Sequence, residues 1–356
     1  MSEPTPLRRA MVLAGALLIG SAATAESALE VSQPYRLSPH TAPGEVYMGI
    51  RLLGSVAIAP TSVDGFVLGG LSGLAWDEDE SRLYALSDRG VLFHLRPRLA
   101  NDRLVAVDAL AAFALRDRLG RALQGRDADA EALAIEGADN AKSGDSVLSV
   151  SFERNPRILQ FAPDGRYLGD VPLPAALSGV GRYAGANKAL ESLTWLPGIG
   201  LLTAPERPLA GAGANLVALF ALDGRQWRYR LTDAPNASLV DLHGLPDASL
   251  LALERGHGPM FLPLITTLRH VRIDAAAPGS PASATTLAVL DSSQGWSVDN
   301  FEGLARYRGL SFFMVSDDNF NALQKTLLVH FSLESSRIDD IRINVRDFEP
   351  RQKTTD

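Results

Sequence analysis

Cysteine is absent from the 356 residues, which removes disulfides, thiolate nucleophiles and Cys-ligated zinc or iron–sulfur centres together. Lysine is scarce: only Lys142, Lys188, Lys325 and Lys353 stand among 34 basic residues, leaving few groups for Schiff-base chemistry. Positive charge is also in deficit, 34 Lys plus Arg against 41 Asp plus Glu for a formal −7. A nucleic-acid partner is therefore not expected, because such a partner demands clustered cations to displace phosphate counterions. Familiar catalytic spacings are missing too. The six histidines (40, 94, 243, 257, 270, 330) show no HExxH pattern, and Gly70-Leu-Ser72-Gly73 misplaces the second glycine of a nucleophile elbow. Asp127-Ala-Asp129-Ala-Glu131 lacks the glycine and distal glutamate of an EF-hand, although in an extended segment its three acids share one face.

The first 25 residues differ in composition from the rest. Arg8-Arg9 precede an apolar stretch from Ala10 to Ala23, and Ala23-Thr24-Ala25 precede Glu26. This is the charged, apolar and small-x-small order of a secretory signal peptide. The apolar stretch falls short of the roughly 20 residues needed to cross a bilayer. No span is expected after its removal. Ala10-Met11-Val12 fits a twin-arginine signal poorly, which favours the general secretory route. Cleavage after Ala25 removes two Arg and Glu3, so the mature chain carries −8. The expectation is a periplasmic or secreted protein that holds itself together by its core and not by cross-links.

Periodicity sets the fold class. Arg82–Ser87, Gly90–Leu95, Ser146–Ser151, Arg157–Phe161, Asn215–Leu222 and Ser311–Ser316 are short apolar runs. They are bounded by turn residues such as Pro163-Asp-Gly165 and Leu222-Asp-Gly224. The clearest helix candidates, Ala109–Phe113 and Ala322–Leu327, are both short. An all-β fold is expected. One unit also recurs: a small or acidic residue, a small residue, Leu, a small residue, then an apolar strand ending in an acid. Ser72-Gly-Leu-Ala75 leads to Asp88-Arg89, Glu131-Ala-Leu-Ala134 to Glu153-Arg154, and Glu191-Ser-Leu-Thr194 to Glu206-Arg207. Val240-Asp-Leu-His243 leads to Glu254-Arg255, and Glu302-Gly-Leu-Ala305 to Asp317-Asp-Asn319. Starts at 72, 131, 191, 241 and 302 are 59, 60, 50 and 61 residues apart. That period with several strands per unit predicts a β-propeller. Dividing the mature length by the period gives six blades of about four antiparallel strands, the sixth built from residues around 30–60 with part of the C-terminal stretch. The chain divides into a signal peptide (1–25), an N-terminal lead (26–45), one propeller domain (46–348) and a polar tail (349–356).

In a propeller the innermost strands line a central channel, so residues at a repeated blade position gather at one mouth. Glu131, Glu191, Asp241 and Glu302 would meet Asp88, Glu153, Glu206, Glu254 and Asp317 there. Like charges so gathered must protonate, pair with arginine or bind a cation. Arg89, Arg154, Arg207 and Arg255 each follow an acid directly, so a ring of inter-blade Arg–carboxylate bridges with no catalysis is one outcome. Asp317-Asp318-Asn319 has no such arginine, which leaves oxygen ligands to spare on that blade. His257 lies near a repeat position of the fourth unit, where a base or a satisfied structural histidine are both open.

Gly69-Gly-Leu-Ser-Gly-Leu74 with Tyr84-Ala-Leu-Ser-Asp-Arg-Gly90 resembles the opening of the phytase-like domain family, described as esterase-like activity of phytase. Leu115-Arg-Asp117, Asp129-Ala-Glu131, Glu191-Ser-Leu193, Leu253-Glu-Arg255, Asn300-Phe-Glu-Gly-Leu-Ala305 and Ser316-Asp-Asp-Asn-Phe320 follow in that family's order, covering about 46–333. The resemblance implies an exported bacterial propeller and an ester or phosphoester hydrolase. Glu131-Ala and Glu191-Ser replace the family's usual Glu-Gly, which puts those two blades in question as site members.

The expected function is cation-dependent hydrolysis of a small anionic or ester substrate. Glu302, Asp317 and Asp88 are the candidate catalytic groups, and Glu131, Glu191 and Asp318 the candidate metal ligands. Arg89, Arg255 and His257 are the candidate substrate contacts, calcium is the expected ion, and no organic cofactor is expected. A non-catalytic binding or scaffold propeller and a calcium-dependent lactonase are the alternatives. Nothing in the sequence fixes an oligomeric state. Intact-mass measurement of the exported chain should give an N-terminus at Glu26; a mature chain retaining Ala10–Ala23 would contradict the signal-peptide reading.

Overall fold

A computed structural model describes Met1 and residues 28–185, 187–259 and 263–334. The expected signal peptide and the C-terminal tail lie outside these residues. The chain forms antiparallel sheets arranged radially. The first blade runs from the inner strand Leu71–Asp77 through Arg82–Ser87 and Val91–Ala100 to Arg103–Ala114. The second holds Ala130–Glu136, Val147–Phe152, Arg157–Phe161 and Tyr167–Val171, and the third Leu190–Leu196, Gly200–Pro205, Leu216–Ala221 and Gln226–Arg230. The fourth holds Ser238–Gly244, Leu250–His257, Leu264–Arg272 and Ser283–Asp291. The fifth holds Asn300–Arg306, Ser311–Asp317 and Thr326–Leu333, and takes its outer strand, Ile50–Ile58, from the N-terminal side of the chain.

The propeller therefore has five blades, not six. Residues 30–60 do join the C-terminal stretch, but they complete the fifth blade instead of building another: Ile58 pairs with Thr326 and Ile50 with Leu333. Division by the period overcounted because it assigned the N-terminal segment to a separate unit. Ser32–Pro34 pairs with Ile58–Val56, while Leu29–Glu30 joins the edge of the first blade. The N-terminal lead thus spans the seam between first and last blades, closing a ring whose sheet edges would otherwise be open.

Hydrophobic burial is divided among the blade interfaces. Five apolar clusters fill the five gaps, one per pair of neighbouring blades. Phe313, Val315 and Leu328 of the fifth blade, for example, pack with Leu71, Leu74 and Phe93 of the first. Sandwiching on both faces explains the nearly continuous apolar runs in the sequence, in place of clean alternation. It also overrides helix propensity: Ala109–Phe113 lies within the long outer strand Arg103–Ala114, and Ala322–Leu327 is a turn running into Thr326–Leu333.

Three histidines repeat one structural position. His94, His270 and His330 lie on third strands opposite Tyr84, Leu251 and Phe313. Each bonds a residue at the start of the second strand: Arg82 Nη1 to His94 Nδ1 at 3.0 Å, Ser249 Oγ to His270 Nε2 at 2.8 Å, and Ser311 Oγ to His330 Nε2. Burial lowers all three, His94 and His330 to about 4. They are neutral in the fold, so below pH ~6.5 the unfolded chain takes up protons that the fold refuses, and stability falls toward pH 4 by up to about 1.4 kcal/mol per histidine per pH unit. In thermal melts between pH 7 and 4, His330→Gln should show a shallower acid limb than wild type; an identical slope would refute this.

Candidate functional site at the channel mouth

Each inner strand breaks its pairing at the same place, near its start. Ser72 is the extra residue between Leu71 and Gly73, Glu191 between Leu190 and Ser192, Val240 between Leu239 and Asp241, and Glu302 between Phe301 and Gly303. In the second blade Glu131 and Ala132 together fill the irregularity. A bulge turns its residue out of the strand's alternation, and here it directs Glu131, Glu191 and Glu302 toward the axis. The second strand of every blade ends at the same level, and the register places Asp88, Glu153, Glu206, Arg255 and Asp317 in equivalent positions there.

The fourth blade departs from the repeat read in the sequence. Its bulge residue is Val240, and its strand-end residue is Arg255. Asp241 and Glu254 are each displaced by one place from the mouth positions. Asp241 is buried and accepts the amides of Leu242 at 2.8 Å and Leu304 at 2.7 Å, tying the fourth inner strand to the fifth. Glu254 is held by the Tyr229 hydroxyl, by Thr232 and by Arg269 at 2.9 Å. A cation thus enters a ring otherwise made of acids.

Arg255 is the centre of the ion pairing. Its guanidinium donates to Glu302 and Asn300 on the fifth blade and, at 3.1 Å, to Glu206 on the third. Lys188 Nζ approaches the other Glu206 oxygen at 2.6 Å. Burial would raise Glu206, but Arg255 and Lys188 outweigh it and hold the carboxyl below its ordinary value. Of the other arginines, Arg154 pairs with Asp129 at 2.9 Å, Arg207 donates to the Asn236 carbonyl, and Arg89 stacks on Phe320. Among the described residues, Arg255 is the arginine that bridges carboxylates of the two blades beside its own.

In the remaining acids burial and like charges outweigh any such compensation. Burial, then Glu153 and Glu302, push Glu131 well up; burial, then Glu131 and Glu206, do the same to Glu191. Burial raises Glu153 to about 7, Asp317 to about 9 and Asp88 to about 6. Burial also raises Glu302, against the pull of Arg255. At neutral pH Asp317 can therefore donate a proton while Asp88 is mostly ionised, the division that acid and base roles require.

Two sets of carboxylates are close enough to hold a metal ion. Oxygens of Asp129, Glu131 and Glu153 lie within 4.8 Å of one another, as do those of Glu153, Glu191 and Glu206. Glu153 belongs to both sets. Glu131 and Glu191 are thus brought together despite the Ala and Ser that follow them. Asp318 sits apart from both sets: its Oδ1 accepts the amides of Gly70 at 2.8 Å and Phe320 at 3.0 Å. Asp317 Oδ1 accepts the Asn319 amide at 2.7 Å. His257 lies two residues beyond Arg255, its Nδ1 3.2 Å from the Gly258 carbonyl.

Asn300 opens the Asn300–Ala305 motif, which does not by itself mark it as a site residue, and Lys188 carries no distinctive pattern. Arg255 as the partner of the ring had a usable signal: Glu191 to Glu206 and Glu302 to Asp317 are both 15 residues apart, and the same step from Val240 ends on Arg255.

Fold and mouth together define a five-bladed β-propeller with an acidic channel entrance. The chain belongs to the phytase-like family, described as esterase-like activity of phytase, whose pattern matches residues 67–320. The match takes in the first four blades and the first two strands of the fifth, a narrower span than the expected 46–333. No curated protein matches the chain.

Because these carboxyls are raised in the fold, the stability they permit is full below about pH 4 and is lost as pH rises toward 9. The cation-free protein should melt at progressively lower temperature from pH 6.5 to 9, and Glu131→Gln should flatten that decline. A melting temperature constant over this range would contradict the ring's electrostatics.

Proposed function

We propose that the chain is an exported, divalent-cation-dependent hydrolase of phosphate or carboxylic esters, acting at the acidic channel mouth. The observation that carries this reading is the pair of carboxylate sets joined by Glu153. All of their donors are oxygen, which suits a hard cation, calcium above all. Asp129, Glu131, Glu153 and Glu191 would hold the ion. Bound there, it would supply polarisation of an ester oxygen and a more acidic water. Asp317 would protonate a leaving oxygen and Asp88 would take a proton from the attacking water, a division that their raised carboxyls, at about 9 and about 6, support. Arg255 fixes Glu302 and Glu206, and His257, two residues further along the same strand, would contact the substrate. The family's description as esterase-like supports the reaction class, and the signal-peptide pattern supports a periplasmic or secreted location.

A scaffold reading has one observation in its favour, the Arg255 bridge to Glu206 and Glu302. It leaves Glu131 and Glu191 unexplained. A lactonase would use the same cation on a neutral ring ester.

Calcium should raise the melting temperature of chelator-treated protein, and hydrolysis of p-nitrophenyl phosphate or p-nitrophenyl acetate should require it. Glu302→Gln combined with Asp317→Asn should lower turnover by about 100-fold or more while leaving the melting temperature within a few degrees. Absence of any calcium shift would sink the metal reading. Full activity in the double variant would remove these residues from the chemistry.

A further inference from the structure

Phe320 has a backbone conformation that an aromatic residue rarely adopts. Its φ is 50°, and that of Asn319 before it is 49°, two consecutive non-glycine residues in the left-handed region. The surroundings force this conformation: the Asp317 carboxylate takes the Asn319 amide, and Asp318 takes those of Phe320 and Gly70. Gly70 is required on the other side. A Cβ there would come 2.3 Å from the Phe320 ring and 2.6 Å from Asp88 Oδ1. The ring of Phe320 is thereby wedged against the first blade, next to Asp88.

Arg89 lies on that ring, its guanidinium carbon 3.3 Å from the centroid. Stacking of this kind holds a guanidinium flat without consuming its N–H donors. Arg89 is exposed, and its charge draws down the neighbouring Asp88, but among the described residues no hydrogen bond or ion pair is formed by its guanidinium N–H groups. The arginines in related places are committed: Arg154 to Asp129, Arg207 to Asn236, and Arg255 to Glu206, Glu302 and Asn300. A planar cation with unspent donors, fixed at the edge of an acidic mouth, suits an oxyanion presented from solvent.

We infer that Arg89 is the group that receives the oxyanion of the substrate, a phosphate or a carboxylate, and that Phe320 is the residue that positions it. This deepens the hydrolase reading and rests on it for the statement that the anion belongs to a substrate. It also explains why strain is tolerated at Phe320: relaxing φ would lift the ring off Gly70 and release the guanidinium.

Isothermal titration with inorganic phosphate and with acetate, each with and without calcium, tests this on wild type, Arg89→Gln, Phe320→Leu and Phe320→Tyr. Phosphate or acetate should bind wild type, and Arg89→Gln should weaken that binding by about 10-fold or more, as expected for loss of charge-assisted hydrogen bonds. Phe320→Leu should weaken it comparably, Phe320→Tyr should restore it by keeping the stacking face, and calcium affinity should be unchanged in all variants. The better-bound anion distinguishes a phosphate ester from a carboxylate-bearing substrate. Arg89 is exposed, so its variant does not endanger folding, and melting curves check the Phe320 variants. Failure of wild type to bind either anion, or binding indifferent to Arg89, overturns the inference; Phe320→Leu equal to wild type removes Phe320 from it. Calcium binding with anion binding that ignores Arg89 defeats this inference alone, whereas anion binding through Arg89 with no calcium binding defeats the hydrolase reading alone.

Discussion

Five strands meeting around one axis leave little room, and that close approach governs the rest of the molecule. A Cβ on Gly73 would come within 3.0 Å of Leu133, and one on Gly303 would meet the backbone of Ser72 and Gly73. The residues just past the bulges are small in four blades: Gly73, Ala132, Ser192 and Gly303. In the fourth blade Asp241 takes the place and satisfies the amide of Leu304 instead of clashing with its strand. The bulge beside each of these residues is how a strand crowded on both sides turns one side chain toward the axis. Acids at three of the five bulges and four of the five strand ends then put carboxylates where little water reaches them.

That arrangement costs stability and is only partly offset. Arg255 and Lys188 hold Glu206 down and Arg255 pairs with Glu302; on Asp129, Glu131, Glu153 and Glu191 the charges of Arg154, Lys188 and Arg255 are outweighed by burial and like charge, and all four are raised. The asymmetry separates the two halves of the ring, one paired by arginine and one with surplus negative charge. A ring meant only to hold blades together would gain from an arginine at every strand end. Here one blade carries it. The buried histidines oppose the acids in their pH dependence, so the fold is squeezed from both sides: below about pH 6 by His94, His270 and His330, and above it by the carboxyls.

Much of the architecture was legible in the sequence because a propeller blade repeats its constraints. The small-Leu-small core at 72, 131, 191, 241 and 302 marks five inner strands, and all five are inner strands of the structure. The blade count was not legible by division, since the N-terminal strand Ile50–Ile58 completes a blade that begins some 250 residues later and carries no repeat signature of its own. At the mouth, Glu131, Glu191, Glu302, Asp88 and Asp317 were found by their recurrence. Asp241 and Glu254 looked equivalent only because acids are interchangeable in a pattern, whereas a one-residue shift in register sends a side chain to another face. Phe320 closes the Ser316–Phe320 motif, but nothing in that pattern shows the strained turn that gives it a role, and Lys188, whose long side chain reaches Glu206, has no pattern of its own.

The central claim, that the uncompensated half of the mouth holds a cation, is tested most directly by placing one there. Crystals of the mature protein soaked in manganese and measured at its absorption edge should give an anomalous peak about 2.0–2.6 Å from a Glu153 oxygen, the range of oxygen–cation distances for hard ions, with Glu131 or Glu191 among its neighbours. Manganese bound elsewhere on the protein with none beside Glu153 would contradict the account.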